Sequence, residues 1–250
     1  MLFKAEHVDV ADRIRAAYAA GLDAVEFWSW RDKPLDAIER ALRDTGMALT
    51  GFLVDPRCRI VDPTTHAAFQ DSVRESIAIA GRLGAQALIV VTGDEMTDRS
   101  RDAQHQAVVD ALRGAAPMAE AAGVVLVLEP LNTIVNHPGY FLSSTEEGLG
   151  IVEEVGSPAV RLLYDLYHSV VMGEQPAQVL SHRGHLVGHV HIADAPGRHE
   201  LGTGSIDWTG SLALLRREGY QGPIGLEYRP TGDTNASLAA FGRGQLRPCG

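Results

Sequence analysis

The chain has 250 residues, of which 45% are hydrophobic and 22% charged, and its formal net charge is -10. That composition excludes disorder, collagen and coiled coil, and the acidic balance lacks the basic footprint of a nucleic-acid-binding protein. The length suits one large domain and matches the roughly 250 residues of a (β/α)8 barrel.

In chain order, Val10–Ala20 carries a helical pattern that stops at Gly21. The apolar run Asp23–Phe27 follows, then a helical pattern over Leu35–Thr45 with Gly46 behind it. Leu49–Asp55 reads as a strand, Gln70–Leu83 as a helix closed by Gly84, and Ala87–Gly93 as a strand. Arg101–Ala122 is a long helical stretch with Pro117 as a candidate kink and Gly123 as its stop. Val124–Asn132 is the next strand, and Ser144 is a candidate N-cap for a helix over Thr145–Val155 that ends at Gly156. Val160–His168, His185–Asp194 and Pro223–Pro230 complete the apolar runs, with a helix over Trp208–Glu218 before the last. Near-continuous apolar strands separated by amphipathic helices predict a parallel sheet covered by helices. No GxGxxG follows a strand, so a (β/α)8 TIM barrel fits better than a doubly wound sheet.

Seven strands are visible where a closed barrel of this type needs eight. The missing one belongs before Val10, where only MLFKAEHV is available. The expectation is one TIM-barrel domain over residues 1–250, its first strand short or missing, with 241–250 as a flexible tail.

Several chemistries are disfavoured at once. Lys4 and Lys33 are the only lysines, which argues against a Schiff base, and no GxxxxGK[ST] occurs. Two cysteines, Cys58 and Cys249, do not make a disulfide framework or a cysteine-rich zinc site, and Cys58 reads as a spectator. No apolar run is long enough for a bilayer, and the N-terminus lacks a signal-peptide pattern. The expected location is the cytoplasm, with neither membrane nor nucleic acid as partner.

Active sites of such barrels lie at the carboxyl ends of the strands. There the last four apolar runs carry Glu129, Asp165, His191 and Glu227, with His168, His189, Asp194 and Arg229 nearby. Residues two apart on a strand share a face, so the four can converge. Three carboxylates and one imidazole suit a hard or borderline divalent cation, Mg²⁺ or Mn²⁺. Any one of them alone reads as a rim residue in an ion pair; the four together read as a metal site. His189, one layer deeper, reads as a hydrogen-bonded core histidine. Glu26 either contacts substrate or supports the rim. Trp28 and Trp30 read as an apolar wall, His66 as a surface loop residue. His199 and Glu200 either pair with each other or shape a lid.

LEPLNT at Glu129, HPGYF at His137, YDLYH at Asp165, GHVHIADAPGRHE at Gly188 and GLEYRP at Gly225 resemble the hydroxypyruvate isomerases of the xylose isomerase-like TIM-barrel superfamily. The likeness runs from about Met1 to Pro230, and PGRHE followed by Gly202-x-Gly204 is its most specific piece. The resemblance implies a divalent metal held by Glu129, Asp165, His191 and Glu227, with Glu129 and Glu227 as the acid/base pair. It implies substrate contacts from His168 and Arg198. It also implies an aldose–ketose type isomerisation of a small hydroxy-oxo acid or sugar, hydroxypyruvate to 2-hydroxy-3-oxopropanoate, through an enediolate, and permits a homo-oligomer. Departures exist. Hydroxypyruvate isomerases can carry Gln at the position of His191. Val135 stands where ketose 3-epimerases place a Glu, and Ile134 where an Arg is common. A ketose 3-epimerase with the same metal and glutamates is the alternative. A non-catalytic sugar-binding barrel and an apurinic endonuclease are further ones; the endonuclease needs an Asp-x-His pair that is absent near Gly204–Ile206.

Overall fold

Seven parallel strands lie side by side in sequence order: β1 (Ala24–Phe27), β2 (Ala48–Leu53), β3 (Ala87–Val90), β4 (Val125–Leu128), β5 (Val160–Asp165), β6 (Val187–Ile192) and β7 (Ile224–Leu226). The structure, a computed structural model, describes residues 1–239; the expected tail at 241–250 lies outside the described residues. The helices are α1 (Val10–Ala19), α2 (Leu35–Thr45), α3 (His66–Leu83), α4 (Arg101–Ala122), α5 (Thr145–Val155), α6 (Leu166–Val171), α7 (Pro176–Val179), α8 (Trp208–Arg217) and α9 (Thr234–Ala239). Strands and helices alternate around a nearly closed TIM barrel, as the sequence predicts.

The helix stops follow from glycine. Gly46, Gly84, Gly123 and Gly156 close α2, α3, α4 and α5 in the left-handed region, at φ between 66° and 77°, where a side chain would be strained. Ser144 caps α5, its hydroxyl accepting from the Glu147 N–H. Pro117 lies inside α4, which continues past it. His66 opens α3 rather than sitting in a loop.

Strands are shorter than the apolar runs. The run Val160–His168 splits at Asp165, whose Oδ1 accepts the N–H groups of Tyr167 and His168 and so starts α6. Glu129 and Glu227 stand one residue past β4 and β7, yet their N–H groups still bond the carbonyls of Val90 and Ile192.

Inside the barrel, Ile89, Val127 and Leu163 form a small apolar cluster, separate from the large core between sheet and helices. His189 lies level with Leu163, and Asp165, His191 and Gly225 lie level with one another along β5, β6 and β7. Two residues beyond Val127, Leu163 and Gly225 come Glu129, Asp165 and Glu227. The period of two along a strand therefore lifts each ionisable group above an interior filler.

The eighth strand is absent among the described residues, and β1 does not pair with β7. Residues 2–6 form turns, with Phe3 at φ 56° and buried. The Phe3 N–H donates to Thr234 Oγ1 at 3.2 Å and the Thr234 N–H to Glu6 Oε1 at 2.9 Å, which ties this segment to α9. Across the unpaired edge Glu26 of β1 reaches Gly225 of β7, where a Cβ would stand 2.1 Å from Glu26 Oε1.

Candidate active site

Four strand ends bring Glu129, Asp165, His191 and Glu227 together, with one potential ligand atom from each lying within 4.8 Å of the others. His191 Nδ1 is 3.2 Å from Glu227 Oε2 and 3.6 Å from Glu129 Oε1. All but Glu227 are buried, and the Glu227 side chain is 14% exposed.

Each carboxylate is anchored by one part and open by another. Asp165 spends Oδ1 on the start of α6 and leaves Oδ2 facing the cluster. Glu227 accepts from the Trp28 indole N–H through Oε1 at 2.8 Å and from Arg198 Nη2 through Oε2 at 2.6 Å. Trp28 is thus a polar partner of Glu227 as well as a wall. Trp30, by contrast, is buried and donates to Ser76 Oγ. Glu129 is braced through its carbonyl, which accepts from Tyr140 Oη, itself held by the Thr92 N–H.

The two glutamates sit in opposed environments. Burial pushes Glu129 up, and the neighbouring carboxylates of Glu227 and Asp165 add to the effect. Burial alone would also raise Glu227, but His191, Arg198 and Trp28 outweigh it and hold its carboxyl low. Burial would lower His191, yet the charge of Glu26 and contacts with Glu129 and Glu227 hold it well above its ordinary value. A cluster that draws a proton onto its imidazole attracts positive charge.

Arg198 lies on the loop after β6. Asp194 organises that loop: Oδ1 accepts from the N–H groups of Ala195 and Ile206, and Oδ2 from that of Gly202. Gly204 packs on it so closely that a Cβ would stand 2.1 Å from the Ala195 carbonyl. His199 and Glu200 do not pair with each other; they strap the loop to the segment after β7, through the Arg229 carbonyl and Thr231. The Arg198 guanidinium spans Glu227 and Asp165, the latter at 3.4 Å, above the ring of Tyr167.

His168 joins the cluster from α6. Its Nδ1 accepts from the Asn132 main-chain N–H at 3.0 Å, so the proton is on Nε2. Burial lowers its pKa to about 4, so it is a neutral donor. His168 Nε2, Arg198 Nε and both ring nitrogens of His191 are buried polar atoms with no hydrogen-bond partner. Sequence reading did not find Asn132 or the polar role of Trp28; both depend on contacts that no local motif encodes. His66 Nε2 meets the Ile60 carbonyl at 3.1 Å and is not one of the clustered residues.

The residues suit a divalent cation. Three carboxylates and an imidazole supply O and N donors, and an orphaned buried Nδ1 aims into their centre.

A parallel barrel with ionisable groups gathered at the carboxyl ends of its strands is a TIM-barrel enzyme in outline. The chain belongs to the xylose isomerase-like TIM barrel family, whose model matches residues 14–244. It is 34% identical over 244 residues to a putative hydroxypyruvate isomerase of Streptomyces coelicolor, covering 90% of this chain and 87% of that protein. It is 31% identical over 244 residues to a 2-oxo-tetronate isomerase of Cupriavidus necator, covering 95% and 92%. A solved structure from Brucella melitensis, described as an AP endonuclease of family 2, has a TM-score of 0.86 at 30% identity, with 92% of each chain covered. The chain is accordingly a hydroxypyruvate isomerase-like enzyme of this family. Among the described residues no helix is long and apolar enough to cross a membrane.

Proposed function

We propose that this enzyme interconverts a small hydroxy-oxo acid and its carbonyl isomer, hydroxypyruvate and 2-hydroxy-3-oxopropanoate being the leading pair. Glu129, Asp165, His191 and Glu227 would hold a divalent metal, Mg²⁺ or Mn²⁺. When bound, such a cation stabilises negative charge that develops on the substrate oxygens.

The observation that carries the reading is the pairing of Glu129 and Glu227 on either side of His191, in environments that separate their proton affinities. Pairs of that kind divide into acid and base. Glu227, held ionised, takes the proton from the hydroxymethyl carbon, giving an enediolate. Glu129, whose proton affinity burial raises, delivers a proton to the neighbouring carbon, and the proton held by Glu227 then returns through solvent to restore the starting pair. The hydroxyl proton moves between the two oxygens, so the product is an isomer and nothing is oxidised or consumed overall.

Two unpartnered donors support an acid substrate. His168 Nε2–H and Arg198 Nε–H are buried and unspent, and a guanidinium suits a carboxylate. The acidic balance of the chain and the lack of an Asp-x-His pair near Gly204–Ile206 weigh against apurinic-site cleavage.

A substrate panel in D₂O tests the reading. Hydroxypyruvate, 2-oxo-tetronate and free ketoses are incubated with metal-loaded enzyme and followed by NMR. Carbonyl migration with deuterium at the new C–H position is expected for an oxo acid. Exchange with inversion at C3 of a ketose would replace the isomerase with a 3-epimerase, and no turnover of any of them would remove both.

A further inference from the structure

Glu26 is partly buried beside the site, its side chain 20% exposed, and takes no part in the chemistry above, yet it touches two histidines of one strand. Its Oε2 accepts a hydrogen bond from His189 Nε2 at 2.8 Å, and its Oε1 lies 3.2 Å from His191 Nε2, an ion-pair contact that is off the angle of a hydrogen bond. The two rings stand edge to face, with centroids 4.9 Å apart. The Thr50 hydroxyl, shared with the Val25 carbonyl, reaches Glu26 Oε2 at 3.2 Å. Gly225 leaves the room: a Cβ there would stand 2.1 Å from Glu26 Oε1 and 2.6 Å from His191 Cδ2. The carboxylate crosses the unpaired edge of the barrel through a gap that only glycine provides.

We infer that Glu26 is the positioning residue that sets the tautomer of His191 for metal binding. An ionised carboxylate only accepts hydrogen bonds, so each imidazole facing it must present N–H at Nε2. For His191 that leaves the Nδ1 lone pair as the ligand atom, and Nδ1 is the nitrogen aimed at Glu129 and Glu227. His189 holds the second oxygen of Glu26, which stops the carboxylate from rotating away. Glu26 therefore acts through His191 and touches neither metal nor substrate. Metal-bound histidines characteristically donate their other N–H to such a group, and its loss weakens metal affinity by about 10–100-fold.

The inference rests on the metal site proposed above, and calorimetric titration of the metal-stripped protein with Mn²⁺ separates the two. The wild type is expected to bind one Mn²⁺ per chain. Glu26→Gln keeps the volume but offers one acceptor to two imidazoles, and its amide N–H₂ turns the other Nε2 into an acceptor. That variant is expected to bind Mn²⁺ about 10–100-fold more weakly, while the metal-free protein still unfolds in one cooperative transition. Glu26→Asp, which retains the charge but not the reach, is expected to fall between. Equal Mn²⁺ affinity in wild type and Glu26→Gln overturns the role of Glu26 and leaves the metal site standing. No Mn²⁺ binding by the wild type overturns both. Two ions in the wild type and one in Glu26→Gln would make Glu26, His189 and His191 a second metal site, which also overturns the positioning role. If Glu26→Gln does not fold, Glu26→Asp and Thr50→Val carry the test: weakened binding supports the inference, and unchanged binding in both overturns it.

Discussion

The main-chain N–H of Asn132 meets His168 Nδ1 at 3.0 Å, and that one contact decides what the imidazole can offer a substrate. With Nδ1 accepting, Nε2–H is the free donor, and it is buried without a partner. A hydrogen bond of this kind contributes about 0.5–1.5 kcal/mol. His168→Ala is therefore expected to lower kcat/KM by about tenfold, whereas His168→Gln, which retains an N–H donor, should lose less. Steady-state kinetics with the best substrate of the panel checks the order, and equal losses would remove the donor role.

The same burial makes His168 a pH-dependent element of stability. Its pKa is about 4 in the folded chain against an ordinary value of 6.5. Between those values the unfolded chain holds a proton there and the folded chain does not, so stability falls as pH falls through the window and levels off below it. The effect is roughly 3 kcal/mol at most. Urea denaturation of metal-free protein across this range should show the loss in the wild type and a flatter dependence in His168→Gln.

The sequence pattern exposed those parts of the site that obey local rules. Glu129, Asp165, His191 and Glu227 were legible because each ends an apolar run, where a barrel places its chemistry. The glycine stops and the Ser144 cap were legible because their causes lie within one helical turn. The turn into α6 was not, since LYH continues the apolar pattern of β5 and only the Asp165 cap ends the strand. The Trp28–Glu227 bond joins residues 199 positions apart, and Glu26 meets His189 over 163. Those contacts exist only once the barrel curls until β1 approaches β7. A strand pattern shows which face a residue takes, but not how close two distant strand ends come.

Gly204 is the backbone position on which the Arg198 loop depends. Any Cβ would collide with the Ala195 carbonyl and with Asp194 Oδ1, at 2.1 and 2.5 Å. Overpacking of this kind costs about 1–3 kcal/mol, or about 2–4 °C per kcal/mol in a chain of this size. Gly204→Ala should lower the melting temperature by several degrees and raise KM, because Arg198 moves with the loop. Gly150→Ala, in α5 where no atom lies within 4 Å of the new Cβ, should be neutral or slightly stabilising. Differential scanning fluorimetry of both variants distinguishes a local clash from a general intolerance of alanine.

Glu129→Gln and Glu227→Gln test the proton pair directly. Each removes one ionisable group at nearly constant volume, and general acid–base catalysis contributes about 10²–10⁴-fold. Both are expected to lower kcat by that order. Their exchange behaviour should differ: with Glu227 gone, substrate deuterium uptake stops, whereas Glu129→Gln still permits proton removal and shows residual washout without product. Wild-type turnover in either variant would refute the assignment.

Metal removal should affect stability as well as rate. Four carboxylates, from Glu26, Glu129, Asp165 and Glu227, crowd around the imidazoles of His168, His189 and His191 and one guanidinium, so a bound dication relieves repulsion that only the folded chain feels. A ligand present at a hundred times its Kd stabilises by about 2.7 kcal/mol, about 5–10 °C for a chain of this size. EDTA treatment is expected to abolish isomerisation and lower the melting temperature by that amount, and Mn²⁺ or Mg²⁺ to restore both. Ca²⁺ provides the control: it prefers 6–8 oxygen ligands at 2.3–2.6 Å, so a site with an imidazole ligand should favour Mn²⁺ in affinity. Full activity after EDTA, with an unchanged melting temperature, would show that the cluster works without a metal.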